Sequence, residues 1–397
     1  MLTNRQLFLQ HVGQTSDQPL MLEIERAEGI YMYDTRGQQY IDLISGVSVN
    51  NIGHRHPAVV EAVEEQMEKY MHLMVYGEMV QSPQVKLAKY LNDLLPEQLD
   101  SVYFVNSGSE AMEGALKLAK RFTGRPHIKA FKHAYHGSTH GALSVLGNED
   151  MKRAFRPLMP GIEHLTFNDF ACLDAIDEHT ACVVVEPIQA EAGIIEPQNS
   201  FLQALRERCD EVGALLIFDE VQVGLGRTGK LFAFEHYQVV PDIMTLAKGL
   251  GGGMPIGAFV APKKMMDCLK TNPMLGHITT FGGHPVSCAA SLATLKVIHE
   301  EHLAEKAVAK GQRFREKLHH KAIHEIRGKG LFLAIELNDK QLLKRFMDEA
   351  FKEHLVMDWF LFCETAFRIA PPLILDNYQI DEIVKKILVA LNRAETA

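Results

Sequence analysis

The chain has 397 residues and 47% hydrophobic side chains, enough for one large core and a smaller second domain, with no low-complexity or disorder-like bias. A formal net charge of -9, without a basic block or a helix-turn-helix pattern, points away from nucleic acid and toward a small-molecule partner. The six cysteines (Cys172, Cys182, Cys209, Cys268, Cys288, Cys363) show no CxxC spacing, the N-terminus lacks a leader pattern, and no stretch approaches the run of about 20 apolar residues a membrane span needs; a soluble cytoplasmic protein is expected.

Residues 1 to about 45 read as a short amphipathic helix and two strand-like pieces, Leu20 to Glu25 and Gly29 to Tyr33, with turns at Glu28-Gly29 and Arg36-Gly37. This predicts an N-terminal arm belonging to the smaller domain. From 46 to 285, apolar strands alternate with helical stripes, the pattern of an α/β domain whose mostly parallel central sheet is covered by helices. In this stretch Ser101 to Val105 reads as a strand, Asn106-Ser107-Gly108-Ser109 as a turn, and Glu110 to Arg121 as a helix striped by Ala111, Ala115, Leu118 and Ala119. A Ser-Gly-Ser turn opening a helix offers free N–H groups, two hydroxyls and the positive end of the helix dipole to a phosphate, although by itself such a turn is more often only an N-cap.

Three apolar runs then end on ionisable residues. Cys182 to Val185 is followed by Glu186, Ala214 to Phe218 by Asp219, and Ile243 to Ala247 by Lys248. Taken alone, an acid after a strand is an ordinary N-cap and a lysine before Gly-Leu-Gly-Gly-Gly an ordinary loop residue. Open α/β sheets, however, bind ligands beyond the carboxyl ends of their strands. There, a carboxylate suits a cationic ring nitrogen and a lysine suits a Schiff base to an aldehyde, so the pair reads as a pyridoxal phosphate site. After Pro285 the pattern turns helical (Val286 to His299, His302 to His319), followed by a Gly328-Lys329-Gly330 turn, a strand from Leu331 to Leu337, a helix, and a last strand and helix. Residues 286–397 are therefore expected to form a smaller α+β domain.

Eight stretches in order carry a resemblance across nearly the whole chain: DLISGVSVNNIGHRHP (42 to 57), NSGSEAMEGALKLAK (106 to 120), YHGST (135 to 139), VVEPIQAEAG (184 to 193), FDEVQVGLGRTG (218 to 229), TLAKGLGGGMPIGA (245 to 258), TTFGGHP (279 to 285) and FRIAPPL (367 to 373). With these motifs the chain resembles the class III pyridoxal phosphate-dependent aminotransferases, the group of acetylornithine, ornithine, 4-aminobutyrate and putrescine enzymes. The resemblance implies the fold type I transferase architecture and pyridoxal 5'-phosphate as cofactor. It implies that Lys248 holds the cofactor and then moves the proton, and that Asp219 keeps the pyridine nitrogen charged. It further implies that Ser107, Gly108 and Ser109 cradle the phosphate, that Tyr135 and Val221 cover the two ring faces, and that Gln222 lies near the ring hydroxyl. His136 and Glu186 join the cofactor-binding set, and Thr280 reaches the phosphate of a neighbouring subunit, which makes the protein a homodimer with shared active sites. His133, His136 and His140 lack the carboxylate geometry of a metal site, and no metal is expected.

For the substrates, an amine donor and a 2-oxo acid acceptor, the resemblance assigns Glu191 and Arg368 to a gate. Glu191 neutralises Arg368 while an amine without a carboxylate reacts, then swings away so that Arg368 takes the carboxylate of glutamate or 2-oxoglutarate. Ser138 is a departure, because the acetylornithine, ornithine and 4-aminobutyrate enzymes typically carry a carboxylate-binding arginine there. The leading expectation is therefore transfer from the terminal amine of a diamine or ω-amino compound to 2-oxoglutarate or pyruvate. The acetylornithine, ornithine or 4-aminobutyrate reaction is the alternative, ahead of an aminomutase, a decarboxylase or a non-catalytic cofactor-binding protein. Trp359, Phe360 and Phe362 are candidates for an apolar wall near Arg368, and Arg55 or Arg227 for a cation replacing the one missing at Ser138.

Overall fold

The computed structural model describes residues 2–198 and 200–396. In the N-terminal arm the strands are β1 (Ile24–Glu28), β2 (Tyr31–Asp34) and β3 (Gln39–Asp42). Next come β4 (Ser101–Val105), β5 (His127–Phe131), β6 (Ile162–Leu165), β7 (Thr180–Val185), β8 (Leu215–Asp219), β9 (Ile243–Leu246) and β10 (Gly257–Ala261). The C-terminal part adds β11 (Ile323–Lys329), β12 (Phe332–Leu337), β13 (Leu355–Val356) and β14 (Ala366–Ile369).

Strands β4 to β10 form one seven-stranded sheet in the order β4-β10-β9-β8-β7-β5-β6. Its neighbours pair in parallel from β9 through β8, β7 and β5 to β6, while β10 runs antiparallel to both β9 and β4. Strands β7 to β10 are buried at every position, which is why their sequences are unbroken apolar runs rather than alternating ones. The carboxyl ends of β7, β8 and β9 therefore lie side by side, and the expected α/β architecture with a mostly parallel central sheet is borne out.

The helix Gly108–Thr123 lies against this sheet through Ala111, Ala115, Leu118 and Ala119, all fully buried. Close approach depends on Gly114, where a Cβ would stand 2.2 Å from a ring carbon of Phe259 on β10. Ser107 caps the helix by accepting from Glu110 N, and Gly124 ends it in the left-handed region at φ 70°. The helix Pro285–Glu300 packs chiefly against the helices Pro57–Lys69 and Ser82–Asp93. It is buried on nearly all sides, so its sequence has little amphipathic contrast.

A second sheet, β1-β2-β3-β13, joins the arm to the C-terminal part, with Leu355 of β13 paired in parallel to Ile41 of β3. The third, β11-β12-β14, is antiparallel and sets Arg368 of β14 opposite Ala334 of β12. Two readings of the arm shift. The strands fall three or four residues later in the first case, at Ile24–Glu28, because β1 (IERAE) is largely exposed and lacks the alternation of a half-buried strand. The helix Asn4–His11 forms, held by a capping box at Thr3 and Gln6, yet buries none of its residues.

Candidate active site

The ends of β7, β8 and β9 deliver Glu186, Asp219 and Lys248 to one cavity of about 410 Å3. Ser107, Gly108, Ser109, Tyr135, His136, Val221 and Gln222 line the same cavity. Lys248 stands at φ 48°, a left-handed conformation that costs a non-glycine residue free energy and is over-represented at functional sites. Its Nζ donates to Gln222 Oε1 at 2.7 Å. Burial, only partly offset by Glu191, lowers the pKa of this amine.

Asp219 is 5% exposed. Its Oδ1 accepts from Val221 N at 3.0 Å, and its Oδ2 lies 2.8 Å from His136 Nδ1, with the His136 side chain wholly buried. Glu186 accepts from Ala190 N and Tyr135 N. Burial and the nearby Asp219 push its carboxyl well above the usual range.

Ser107, Gly108 and Ser109 sit where the β4 turn opens the helix Gly108–Thr123. A Cβ at Gly108 would stand 2.9 Å from Val221 Cγ1, and one at Gly137 would stand 2.2 Å from Ser109 Oγ, so both glycines let backbone close around the cup. Asn106 braces the turn through Glu110 Oε2 and Thr279 Oγ1. Asn106, Val49, Met254, Pro255 and Ile256 also line the cavity and escaped the sequence reading. The last three follow Gly252 and Gly253, both at positive φ, a signal that marked only a loop.

Beyond the cavity, Glu191 and Arg368 form an ion pair with Oε1 2.9 Å from Nη2, at exposures of 5% and 1%. Glu191 also accepts from Leu361 N at 3.1 Å and Gln222 Nε2 at 3.3 Å. Burial pushes the Glu191 carboxyl up, but Arg368 and Lys248 overcome it and hold it below its ordinary value. Hydrogen bonds thus run without a break from Lys248 through Gln222 and Glu191 to Arg368.

Several candidates lie elsewhere. Thr280 is exposed and outside this cavity, although the adjoining Thr279 bonds Asn106. Of the aromatic wall only Phe360 is buried, its ring 4.7 Å from the Arg368 guanidinium carbon, whereas Trp359 is 59% exposed. Ser138 is exposed, with Oγ 3.1 Å from Tyr135 Oη. Arg227 cannot replace a cation there, being buried and spent on Leu331 O, Pro371 O and Asn51 Oδ1. Arg55 is on the surface, and Lys248 is the one lysine or arginine among the described residues lining the cavity. Among the described residues no group of three or more His, Cys, Asp or Glu side chains is placed to hold a metal, and no helix is long and apolar enough to cross a membrane.

A lysine and a carboxylate at adjacent strand ends, with an anion cup at a helix start, define a fold type I pyridoxal phosphate-dependent transferase. Residues 12–391 match the family model described as aminotransferase class-III, and the chain belongs to the class III aminotransferases. It is 41% identical to the acetylornithine aminotransferase of Methanopyrus kandleri over 92% of each chain. Among solved structures it resembles the ornithine aminotransferase from Toxoplasma gondii, with a TM-score of 0.91 and 30% identity over 98% of this chain and 93% of that one. An (S)-enantioselective omega-transaminase from Thermomicrobium roseum superposes with a TM-score of 0.89 at 28% identity, over 98% and 97% of the two chains. Pyridoxal phosphate is the cofactor of this family. The residues present fit it, because the cup at Ser107 to Ser109 leaves no room for side chains at 108 or 137 and Asp219 and Lys248 line the same cavity as that cup.

Proposed function

We propose that the enzyme transfers the terminal amino group of an ornithine-like ω-amino compound to a 2-oxo dicarboxylic acid such as 2-oxoglutarate, in two half-reactions at one site. The buried Glu191–Arg368 pair is the observation that carries this reading. A buried guanidinium with an exchangeable counter-ion serves a carboxylate-bearing substrate in one half-reaction and stays neutralised while a plain amine reacts in the other.

The bound cofactor supplies an electron sink for the charge left when the substrate loses its proton. The chain's own groups do the rest. Lys248 anchors the cofactor, and its amine, kept neutral more readily by burial, takes and returns the proton. Asp219, held by His136 and Val221 N, supplies the fixed negative charge opposite the ring nitrogen. Ser107, Gly108 and Ser109 would hold the phosphate, Tyr135 and Val221 would bracket the ring, and Gln222 and Glu186 would complete its polar surroundings. Thr280, exposed beside the cup, is offered to the site of a second copy. Exposed Met71, Met74 and Val80, with Phe281 against His72, supply apolar surface for that homodimer. The free cysteines suit a cytoplasmic setting.

For the amine, the names of the Methanopyrus kandleri and Toxoplasma gondii proteins favour N-acetylornithine or ornithine. A second reading, a diamine without a carboxylate, is favoured by Ser138 and by the lack of any other lysine or arginine than Lys248 among the cavity-lining residues. The deciding experiment mixes the purified holoenzyme separately with N-acetylornithine, ornithine, putrescine, 4-aminobutyrate and glutamate and follows the visible absorbance of the bound cofactor. Fast change with glutamate and with ornithine or its acetyl derivative supports the first reading; putrescine in their place supports the second. No response to glutamate would remove the gate from both.

A further inference from the structure

Arg368 has more anions around it than a two-position gate requires. Asp358, in the segment between β13 and β14, places Oδ1 3.3 Å from Arg368 Nε, and its backbone O accepts from Arg368 N at 3.0 Å. The side-chain contact is ionic without an aligned hydrogen bond, and Oδ1, Nε and Nη1 are all buried without hydrogen-bond partners. Phe360 lies under the guanidinium and Glu191 occupies Nη2, which leaves Nη1 without a partner.

We infer that Asp358 is a standing counter-ion and positioning residue for Arg368, holding the Nε side of the guanidinium so that Nη1 and Nη2 are presented together to a substrate carboxylate once Glu191 withdraws. This inference rests on the gate reading of Glu191 and Arg368. Two physical points carry it. A buried guanidinium left without any anion is strongly penalised, so a gate whose only anion departs would resist opening; Asp358 remains in place throughout. A bidentate carboxylate contact, moreover, depends on the plane of the guanidinium, whereas Glu191 is held additionally by Leu361 N and Gln222 Nε2 and depends on it less. Burial raises the Asp358 carboxyl to about 6, with Arg368 opposing, so the group carries its charge at neutral pH and above.

The test compares Asp358→Ala, Asp358→Asn and Arg368→Lys holoenzymes in separate half-reactions with glutamate and with putrescine, each over a range of concentrations. For Asp358→Ala the apparent affinity for glutamate is expected to fall about ten-fold relative to that for putrescine, with the limiting rate changed less. Asp358→Asn, which keeps an acceptor beside Nε, recovers part of that loss. Equal losses with both substrates, or none with glutamate, would overturn the inference. Arg368→Lys separates the two levels of the argument: if it too leaves glutamate affinity intact the gate itself fails, whereas loss in Arg368→Lys alone refutes only the role of Asp358.

Discussion

His136 Nδ1 and Asp219 Oδ2 lie 2.8 Å apart with both side chains almost wholly removed from water. The imidazole acts on the carboxylate from behind, orienting it while Val221 N holds the other oxygen. Replacing Asp219 by Asn keeps the shape and deletes the charge, and turnover should fall by about 100- to 1,000-fold, as for loss of one preorganised electrostatic contact. His136→Ala should cost less, about 10- to 100-fold, because it disturbs orientation only. Steady-state rates and cofactor titration check both, and a His136→Ala defect as large as that of Asp219→Asn would contradict this ordering.

Lys248 is proposed to be the proton-moving group, so Lys248→Met should reduce turnover by at least about 1,000-fold while the chain still folds. Its titration gives a second expectation. The folded pKa lies below the ordinary 10.5, so between the two values the unfolded chain holds the proton that the folded chain has lost. Stability then rises with pH across that interval, and at lower pH the lysine carries its full cost. Cofactor-free Lys248→Met should therefore melt at a higher temperature than the cofactor-free parent at neutral pH, with the gap narrowing toward pH 10. A gap that widened with pH would have the wrong sign.

The residues at the ends of β7, β8 and β9 were legible in the sequence because three apolar runs of one α/β pattern each end on an ionisable residue, where any one alone would read as a cap or a loop. The cup at Ser107 was legible for a related cause, since strand, turn and helix follow one another within a few residues. Strand β10 was not, because a buried run such as GAFVA reads the same whether it is parallel or antiparallel. Asp358 was missed because its contact with Arg368 is set by the path of the chain between β13 and β14, and nothing in the spacing of MDWFLF reveals it. Arg227, read as a possible substrate cation, proved to be a clamp on backbone carbonyls from two distant segments.

In the proposed gate Glu191 is the movable member, and Glu191→Gln removes its charge while keeping an acceptor for Leu361 N. Arg368 is then less well neutralised when an amine without a carboxylate binds. The apparent affinity for putrescine should fall about ten-fold relative to that for glutamate, equivalent to roughly 1.4 kcal/mol. Half-reaction kinetics with the two donors measure the ratio, and an unchanged ratio would mean that the pair serves only to hold β14 against the loop after β7.

Ser138 offers the converse experiment, a cation added rather than an anion removed. Its hydroxyl lies 3.1 Å from Tyr135 Oη at the exposed side of the cavity, and no other arginine or lysine than Lys248 is found among the cavity-lining residues. Ser138→Arg should raise kcat/KM for N-acetylornithine or 4-aminobutyrate by about 10- to 100-fold through a charge-assisted contact to their carboxylates. Putrescine, with a second ammonium in place of that carboxylate, should react more slowly in the same variant. If the parent already handles N-acetylornithine well and Ser138→Arg brings no gain, the carboxylate is being held by a group outside this cavity wall. A residue of a second copy in the proposed homodimer, on the side where Thr280 is exposed, is then the place to look.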